Sequence, residues 1–285
     1  MRVLVLGAGG MLGNAVFRYF AKRPEFETFG SLRSANGLAF FHPSLHSQLI
    51  TSVDVENFDS LSLAFAQIKP AAVINCIGLV KQLAIANDPL YALPINAMLP
   101  HRLARLCDMV GARFVHISTD CVFSGTRGNY DENDIADAHD LYGRSKCMGE
   151  VKSYAHAVTL RTSIIGHELN SQHGLVNWFL AQQGTVKGFS KAIFSGVPTV
   201  ELARIIADFV LPNAALQGLY QVASEPINKY DLLNLLAATY QKSINIIADD
   251  LLVIDRSLNG SKFFGATGYV SPQWSELIAT MREFG

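Results

Sequence analysis

The sequence has little charge, and the two signs nearly cancel. Charged residues make up 16% of the 285 residues, and 23 lysines and arginines against 24 acidic residues give a formal net charge of −1. A chain with so little net charge creates no broad field that would attract nucleic acid or an acidic membrane surface. We therefore expect neither nucleic acid nor a membrane among its partners.

Cysteine is also scarce, and its spacing suits neither a metal nor a disulfide framework. The cysteines show no CxxC spacing and no paired histidine cluster; they are Cys76, Cys107, Cys121 and Cys147. This pattern argues against structural zinc and favours a reducing compartment. We predict that the protein binds no metal and lies in the cytoplasm.

Long apolar runs are missing as well. No stretch approaches the ~20 apolar residues that a membrane-spanning helix needs. The N-terminal segment MRVLVLGAGG breaks at glycine after a run the length of a strand, whereas a secretory signal carries an apolar region of ~7–15 residues. The sequence also shows no internal repeat, low-complexity tract or flexible linker.

What the sequence does have is a hydrophobic content of 49% and a regular alternation of short apolar runs with helical patterns. This alternation is typical of βαβ units and a parallel sheet. We predict an α/β fold, a Rossmann-type doubly wound parallel sheet with a smaller C-terminal α/β lobe. The main domain should span 1–165 and the lobe 166–285, with some segments of the lobe returning to the main sheet.

The individual elements follow from the same periodicities. The predicted strands are 2–6, 27–32, 49–55, 71–78, 113–119 and 157–165, with short strands near 186–195 and at 218–224. The predicted helices are 11–22, 58–68, 90–110, 142–154, 174–183, 199–210, 228–241 and 272–283.

A glycine-rich turn, GAGGMLG, follows the first strand and opens the first helix. Gly7, Gly10 and Gly13 fit the pattern GxxGxxG, with Met11 and Leu12 between the last two. Glycines at this spacing allow a tight turn, a close approach of backbone to a pyrophosphate, and close packing of helix on sheet. The N–H groups of the helix N-terminus then face the phosphates. The alternative is a plain strand–helix turn, but the flanking pattern favours dinucleotide binding.

Two further positions bear on the choice of dinucleotide. The second strand ends in SLRS and lacks the acidic residue that binds a ribose 2′-hydroxyl. Arg33 can accept a 2′-phosphate there, which favours NADP over NAD, with NAD still possible. Asp54 ends the predicted third strand, where its carboxylate can bind an adenine amino group. Each signal alone is weak, since an arginine after a strand is often only solvated.

A tyrosine and a lysine four residues apart, Tyr142 and Lys146, stand in the segment LYGRSK. Such pairs also arise by chance on any helix. A phenol with a pKa near 10 is a poor acid at neutral pH, but an ammonium one turn away and a cationic nicotinamide would lower that pKa. The fifth strand ends in hydroxyls, and Thr119 lies at the carboxyl edge where ligands of open sheets bind. Thr119 would polarise a substrate carbonyl while Tyr142 passes it a proton.

The motifs GAGGMLG, INCIG, STDCVFSG and YGRSKCMGE together resemble those of extended short-chain dehydrogenase/reductases. The similarity is greatest to the dTDP-4-dehydrorhamnose reductase family, with hallmarks such as STDYVFDG and YGRSKLxGE. It is strong over 1–165, and beyond that SGVPTVELA, GLYQVAS and DRSLNGSKF follow the same order. The resemblance implies NADPH-dependent reduction of a nucleotide-activated 4-keto-sugar, for surface polysaccharide or deoxysugar biosynthesis, by a monomer or homodimer.

The resemblance also implies roles for individual residues. Lys146 would bind the nicotinamide ribose beside Tyr142, and Thr119 and Asp120 would touch the sugar. The remaining implied cofactor contacts are Asp54, Val55, Cys76, Ile77, Gly78 and Thr162.

The sequence departs from the family pattern at two positions near the expected sugar. Cys121 stands where the family has tyrosine, and Ile164 stands where it often has tryptophan. Trp178 could replace the latter, although a tryptophan on an amphipathic helix is more often core. Lys81 and Arg256 are further candidates to meet the sugar or its diphosphate, and Lys81 fits an ordinary surface lysine equally well.

Three functions compete on this sequence. The first is the reductase. The second is a dehydratase or epimerase on the same scaffold, but Cys121 occupies the place of the glutamate that dehydratases use, and Arg33 argues against the NAD preference of epimerases. The third is a non-catalytic, NADP-binding regulatory subunit, since the regulatory subunit of methionine adenosyltransferase resembles the same family. The complete set of Thr119, Tyr142 and Lys146 favours an enzyme.

Overall fold

The computed structural model describes residues 1–81 and 84–285, and a parallel sheet forms its centre. The strands are β1 Arg2–Leu6, β2 Glu27–Ser31, β3 Leu49–Ile50, β4 Ala72–Asn75, β5 Arg113–Thr119, β6 Ala157–Thr162, β7 Ile164–Ile165, β8 Thr185–Phe189, β9 Ala192–Phe194, β10 Val197–Pro198, β11 Gly218–Gln221, β12 Ile227–Asn228, β13 Asn245–Asp249 and β14 Ile254–Asp255. Seven of these strands form the main sheet in the order β11-β6-β5-β4-β1-β2-β3, and every pairing within it is parallel. The predicted fold class is confirmed.

Helices cover both faces of this sheet. They are α1 Met11–Ala21, α2 Phe58–Ile68, α3 Pro89–Ala92, α4 Leu99–Val110, α5 Leu141–Met148, α6 Leu175–Ala181, α7 Thr199–Ile205, α8 Lys229–Thr239, α9 Ser261–Thr267 and α10 Trp274–Phe284. Short 3-10 helices span Ala35–Phe40, Pro43–Gln48, Ala84–Asn87 and Asp120–Val122, and π-helical turns span Leu93–Met98 and Ile206–Val210.

The hydrophobic core lies in layers on either side of the sheet. One cluster packs α1 and α7 against β1, β5 and β6, with Phe17 and Phe20 fully buried. A second packs α2 and α4 against the opposite face, around Leu4 and Leu103. A third joins α6, α8 and α10 in the C-terminal half. Burial of these strands on both faces explains why their sequences are continuous apolar runs.

The segments after residue 165 form small sheets of their own, and one strand joins the main sheet. β11 pairs with β6 at the edge, while β9 pairs with β12 and β14, and β8 pairs with β13. The segment around Tyr130 connects the two parts, because its amide donates to the Ser257 carbonyl and its carbonyl accepts from Asn259. The strand ends of the main sheet therefore face elements from the second half of the chain.

Several predicted elements are shorter in the structure, and for two of them the cause is local. The third strand pairs only at Leu49–Ile50, because the backbone leaves the sheet at Ser52, where φ is 62°. The helix predicted over 142–154 ends at Met148, because the chain then turns inward and Glu150 pairs with the buried Arg161. The helix Ser261–Thr267 is absent from the sequence prediction.

Candidate active site

Two adjoining cavities lie at the carboxyl ends of the central strands, on either side of β1. One of about 600 Å³ extends toward β2, and one of about 320 Å³ extends toward β5 and β6. Both are lined by Gly10, Ile77, Gly78 and Leu79. This is the point where the strand order reverses, the usual ligand crevice of an open α/β sheet. The two cavities together suit an elongated ligand with two heads.

The glycine turn forms the floor between the two cavities. Gly7 has φ +82°, a conformation that other residues rarely adopt. Its N–H donates to the Ser31 hydroxyl at 3.0 Å, and its carbonyl accepts from the Gly10 N–H at 3.0 Å. A Cβ at Gly13 would lie 2.0 Å from the Gly7 carbonyl oxygen, so α1 starts directly against the turn. The backbone of the turn and the start of α1 can therefore approach a pyrophosphate, as the sequence pattern predicts.

The larger cavity contains the residues predicted to bind the adenosine half of a dinucleotide. Arg33, Asp54 and Val55 all line it. Arg33 is exposed at the end of β2, so its guanidinium can reach a ribose 2′-phosphate. Asp54 accepts the Glu56 N–H at 3.1 Å through one carboxylate oxygen. The glycine turn, the Arg33 guanidinium and the Asp54 carboxylate together fit a dinucleotide. A 2′-phosphate on its adenosine ribose would meet the Arg33 cation.

The smaller cavity brings together Thr119 from the end of β5 with Tyr142 and Lys146 from α5. Asp140 caps α5 by accepting the Gly143 N–H at 2.7 Å, which fixes the start of this helix beside β5. The Thr119 hydroxyl donates to an Asp120 carboxylate oxygen at 3.1 Å. The predicted catalytic residues therefore share one cavity, next to the glycine turn.

The Lys146 amine is buried beneath this cavity. It donates a hydrogen bond of 2.7 Å to the Ile117 carbonyl, and only 6% of the residue is exposed. Burial lowers the pKa of this amine to about 8, while the charge of Glu150 opposes that shift.

The sequence predicts a lowered pKa for the Tyr142 phenol, but the groups of the protein raise it. Burial is the main cause that raises the pKa of Tyr142, and the neighbouring Cys121 adds to it, while the Thr119 hydroxyl acts in the opposite direction. The phenol therefore stays protonated at neutral pH and can act as a proton donor.

Two cations from the second half of the chain, Arg256 and Lys229, act on Asp120, which lines the smaller cavity; neither cation is among the described residues that line it. Asp120 is 5% exposed, and burial raises the pKa of its carboxyl against the influence of Arg256. Arg256 donates to the Phe123 carbonyl at 2.8 Å, and its Nη1 lies 3.9 Å from the Cys121 Sγ. Lys229 also influences Asp120, with its ammonium 3.6 Å from the centre of the Phe194 ring. Burial lowers the pKa of Lys229 to about 8.

The other predicted residues divide between the cavities and the core. Met11, Leu12, Cys76, Lys81 and Thr162 line the smaller cavity, and the Lys81 amine forms an ion pair of 2.6 Å with Asp140. Trp178, by contrast, packs against the hydrophobic cluster of α6, α8 and α10 and is not among the described residues that line either cavity. Its proposed contact with a sugar stays a prediction.

Several cavity residues escape the sequence reasoning. Asn36, Gly37 and Phe40 in the 3-10 helix after β2, and Asn170 in the second half, line the larger cavity. Asn96 accepts the Leu79 N–H at 2.9 Å from the π-helical turn and so holds the loop between the cavities. For Asn36, Gly37 and Phe40, the one indication in the sequence is that they follow the second predicted strand. Nothing in the sequence indicates that Asn170 or Asn96 lies near a ligand. Among the described residues, no group of three or more possible metal ligands occurs, and no helix is long and apolar enough to cross a membrane.

Comparison with known proteins gives relatives of several activities. The chain is 26% identical to methionine adenosyltransferase 2 subunit beta from Danio rerio, over 84% of this chain and 74% of that protein. It is 34% identical to the probable low-salt glycan biosynthesis reductase Agl14 from Haloferax volcanii, over 53% of this chain and about half (48%) of that protein. The structure of dTDP-4-dehydrorhamnose reductase from Bacillus anthracis in complex with NADP superposes with a TM-score of 0.78 at 20% identity, over 99% of this chain and 98% of that one.

The parallel sheet, the glycine turn and the shared cavity of Thr119, Tyr142 and Lys146 define an extended short-chain dehydrogenase/reductase, a class of oxidoreductases. The sequence also matches the model of one family over residues 1–247. The chain belongs to the RmlD substrate binding domain family. The resemblance inferred from the sequence motifs is thereby confirmed.

Proposed function

We propose that the protein is an NADPH-dependent reductase of a nucleotide-activated 4-keto-sugar, in the manner of the dTDP-4-dehydrorhamnose reductases. The observation that carries the proposal is the meeting of Thr119, Tyr142 and Lys146 in one cavity that adjoins the glycine turn. Arg33 at the mouth of the adjoining cavity supports the choice of NADP. We place this reaction in the cytoplasm, in polysaccharide or deoxysugar biosynthesis, with a monomer or homodimer as the working unit.

Bound NADPH would supply the hydride, and the groups of the chain would manage the substrate and its proton. The Thr119 hydroxyl, which donates to Asp120 in the structure, would turn to donate to the keto oxygen and polarise it, because charge develops on that oxygen as it is reduced. Tyr142, which burial keeps protonated, would give its phenolic proton to the same oxygen. The ammonium of Lys146 would favour the phenolate that results. Asp120, Lys81 and Arg256 would orient the sugar and its diphosphate.

The test is whether the purified protein oxidises NADPH when it is offered nucleotide 4-keto-sugars, followed by the loss of NADPH absorbance. Tyr142→Phe should bind NADPH normally and lose about 10²–10⁴-fold in turnover, the usual contribution of a general acid. Tyr154→Phe is the matched control, because that phenol lies outside the cavity and accepts from Arg105. Turnover near the wild-type rate in Tyr142→Phe would show that the proposed proton path is wrong.

A second function, a regulatory NADP-binding subunit, is favoured by one observation. Methionine adenosyltransferase 2 subunit beta aligns over 84% of the chain. Tight NADPH binding without turnover on any nucleotide 4-keto-sugar would support this function. A dehydratase is less compatible with the site, because the Cys121 side chain lacks a carboxylate, and burial raises the pKa of its thiol to about 12.

A further inference from the structure

A loop from the second half of the chain, residues 168–174, lies beside the glycine turn and reaches the larger cavity. Asn170 in this loop lines that cavity together with three glycines of the turn. At the end of the loop, a Cβ on Gly174 would lie 3.5 Å from the Sδ of Met11, the first residue of α1. The loop therefore contacts the start of α1, where the pyrophosphate of a dinucleotide is expected.

The loop is held in place by hydrogen bonds and by packing. One carboxylate oxygen of Glu168 accepts from the Ser171 hydroxyl at 2.7 Å, and the other accepts from the Gly174 N–H at 2.6 Å. The Asn177 side chain on α6 accepts from the Glu168 N–H at 3.0 Å and donates to the Glu168 and Ser171 carbonyls at 3.2 and 3.3 Å. Leu169 packs against the hydrophobic cluster of α1 and α7. The residue between Leu169 and Ser171 therefore has an anchored neighbour on each side.

That residue, Asn170, is exposed, and its side chain takes part in none of the hydrogen bonds that hold the loop. An asparagine amide carries two N–H donors and one acceptor oxygen. A pyrophosphate offers only acceptor oxygens, and a hydrogen bond to such a charged group is stronger than one between neutral groups. The amide of Asn170 therefore suits a pyrophosphate in the cavity that it lines.

The two cavities offer few cations to a pyrophosphate beside the turn. Among the described residues that line the larger cavity, Arg33 is the one lysine or arginine, and Asp54 and Glu56 are acidic. Of the two lysines among the described residues that line the smaller cavity, one is paired with Asp140 and the other donates to a backbone carbonyl. A pyrophosphate would therefore depend on N–H donors, from the turn and the start of α1 on one part of the chain and from Asn170 on the other.

We propose that Asn170 is a cofactor-binding residue, and that its side-chain amide donates a hydrogen bond to the pyrophosphate of the bound dinucleotide. The loop 168–174 would position this donor, so the second half of the chain contributes to cofactor binding as well as to the substrate side. The inference rests on the proposed function only for the presence of the dinucleotide. Its test needs no sugar substrate.

Asn170→Ala removes the amide at an exposed position of the loop, so the fold should be unchanged. NADPH and NADH carry the same pyrophosphate, and both should bind about tenfold more weakly, the lower end of what a hydrogen bond to a charged group contributes. Asn170→Asp should bind both still more weakly, because a carboxylate repels the pyrophosphate. Gln172→Ala is the matched control, because Gln172 carries an exposed amide on the same loop and is not among the described residues that line either cavity.

Fluorescence titration of the full chain with NADPH and with NADH measures the two affinities. Competition with 2′-AMP, which carries the adenine and the 2′-phosphate but no pyrophosphate, locates the contact, and 2′-AMP should bind the wild type and Asn170→Ala equally. Wild-type affinity of Asn170→Ala for both dinucleotides would overturn the inference, as would an equal loss in Gln172→Ala. A loss confined to NADPH, or a matching loss for 2′-AMP, would show that Asn170 does not contact the pyrophosphate.

Asn177→Ala tests whether the loop positions the amide. It should weaken NADPH binding by about threefold, a coupling at the low end for residues of one hydrogen-bond network, and should cause no further loss in the Asn170→Ala background. Equal losses in the two backgrounds would contradict the positioning by the loop. Intact NADPH binding without turnover would count against the proposed reductase alone, whereas a wild type that binds neither dinucleotide would overturn both proposals.

Discussion

The substitution Gly13→Ala tests the glycine turn at the point where the structure is least able to adapt. The added Cβ would lie 2.0 Å from the Gly7 carbonyl oxygen, 2.6 Å from the Gly7 carbonyl carbon and 3.1 Å from the Ala8 Cα. Real Cβ atoms essentially never come within 3.0 Å of such neighbours. All three atoms belong to the backbone, so no side-chain rotation relieves the contact, and α1 must move about 1 Å away from the turn.

Two effects of opposite sign determine how much Gly13→Ala changes the free energy of unfolding. Overpacking against rigid surroundings costs about 1–3 kcal/mol, and the upper end applies because the contact is with backbone. Alanine in place of glycine inside a helix gains about 1 kcal/mol. We therefore expect Gly13→Ala to lose about 2 kcal/mol in the free energy of unfolding. Displaced N–H donors at the start of α1 should also weaken NADPH binding by about tenfold to a hundredfold, since hydrogen bonds to charged groups contribute ~1.5–3 kcal/mol.

The control for this substitution is Gly265→Ala in α9. Gly265 is exposed and a Cβ there would meet no described atom within 4 Å, so the helix propensity acts alone and the variant should gain up to about 1 kcal/mol. Urea unfolding measures the free energy of unfolding, and fluorescence titration measures the NADPH affinity. Both are applied to the wild type, Gly13→Ala and Gly265→Ala. Gly13→Ala with wild-type stability and wild-type NADPH affinity would refute the argument that close packing of α1 on the turn builds the site.

Two further predictions concern the ends of the site. Arg33→Ala should reduce the preference for NADPH over NADH by about tenfold to a hundredfold, because a charge-assisted contact to phosphate contributes ~1.5–3 kcal/mol. Titration with both cofactors measures this preference, and a wild-type preference for NADH would contradict the assignment of Arg33 to the 2′-phosphate. Arg256→Ala should raise the KM for the sugar nucleotide with little change in NADPH affinity, because its guanidinium lies beside Cys121. Steady-state kinetics with each ligand varied separately checks this. A selective loss of NADPH affinity would show that Arg256 contacts the cofactor and not the sugar nucleotide.

The parts of the site that local sequence specifies were predictable. The glycine turn has its own spacing, and the hydroxyls at the end of β5 and the Tyr142–Lys146 pair each lie within a few residues of a strand or helix end. Because parallel strands end at one edge of the sheet, placing these segments on strands was enough to bring them together. Arg33 and Asp54, which come after β2 and β3, meet in the larger cavity for the same reason, and their contact with an adenosine stays a prediction.

What could not be predicted depends on contacts between distant segments. The sequence gives no indication of how deeply a phenol is buried, and burial decides the direction of the Tyr142 pKa shift. The end of α5 is set by Glu150, which leaves the helix to pair with Arg161 across 11 residues of sequence. Lys229 reaches the vicinity of Asp120 from a helix more than a hundred residues later. In each case tertiary packing overrides the local pattern.

The two departures from the family pattern occupy related positions in the site. Cys121 and Ile164 both line the smaller cavity, whereas the family places aromatic residues there. Neither side chain takes part in the hydrogen bond that holds the Lys146 amine or in those by which Ser118 on β5 and Arg161 on β6 bind Glu150. A change of sugar therefore needs no change in the residues proposed to move the proton. It follows that substrates should be sought among nucleotide 4-keto-sugars that do not rely on stacking against an aromatic ring, and that the polar groups of Asp120, Lys81 and Arg256 are left to select among them.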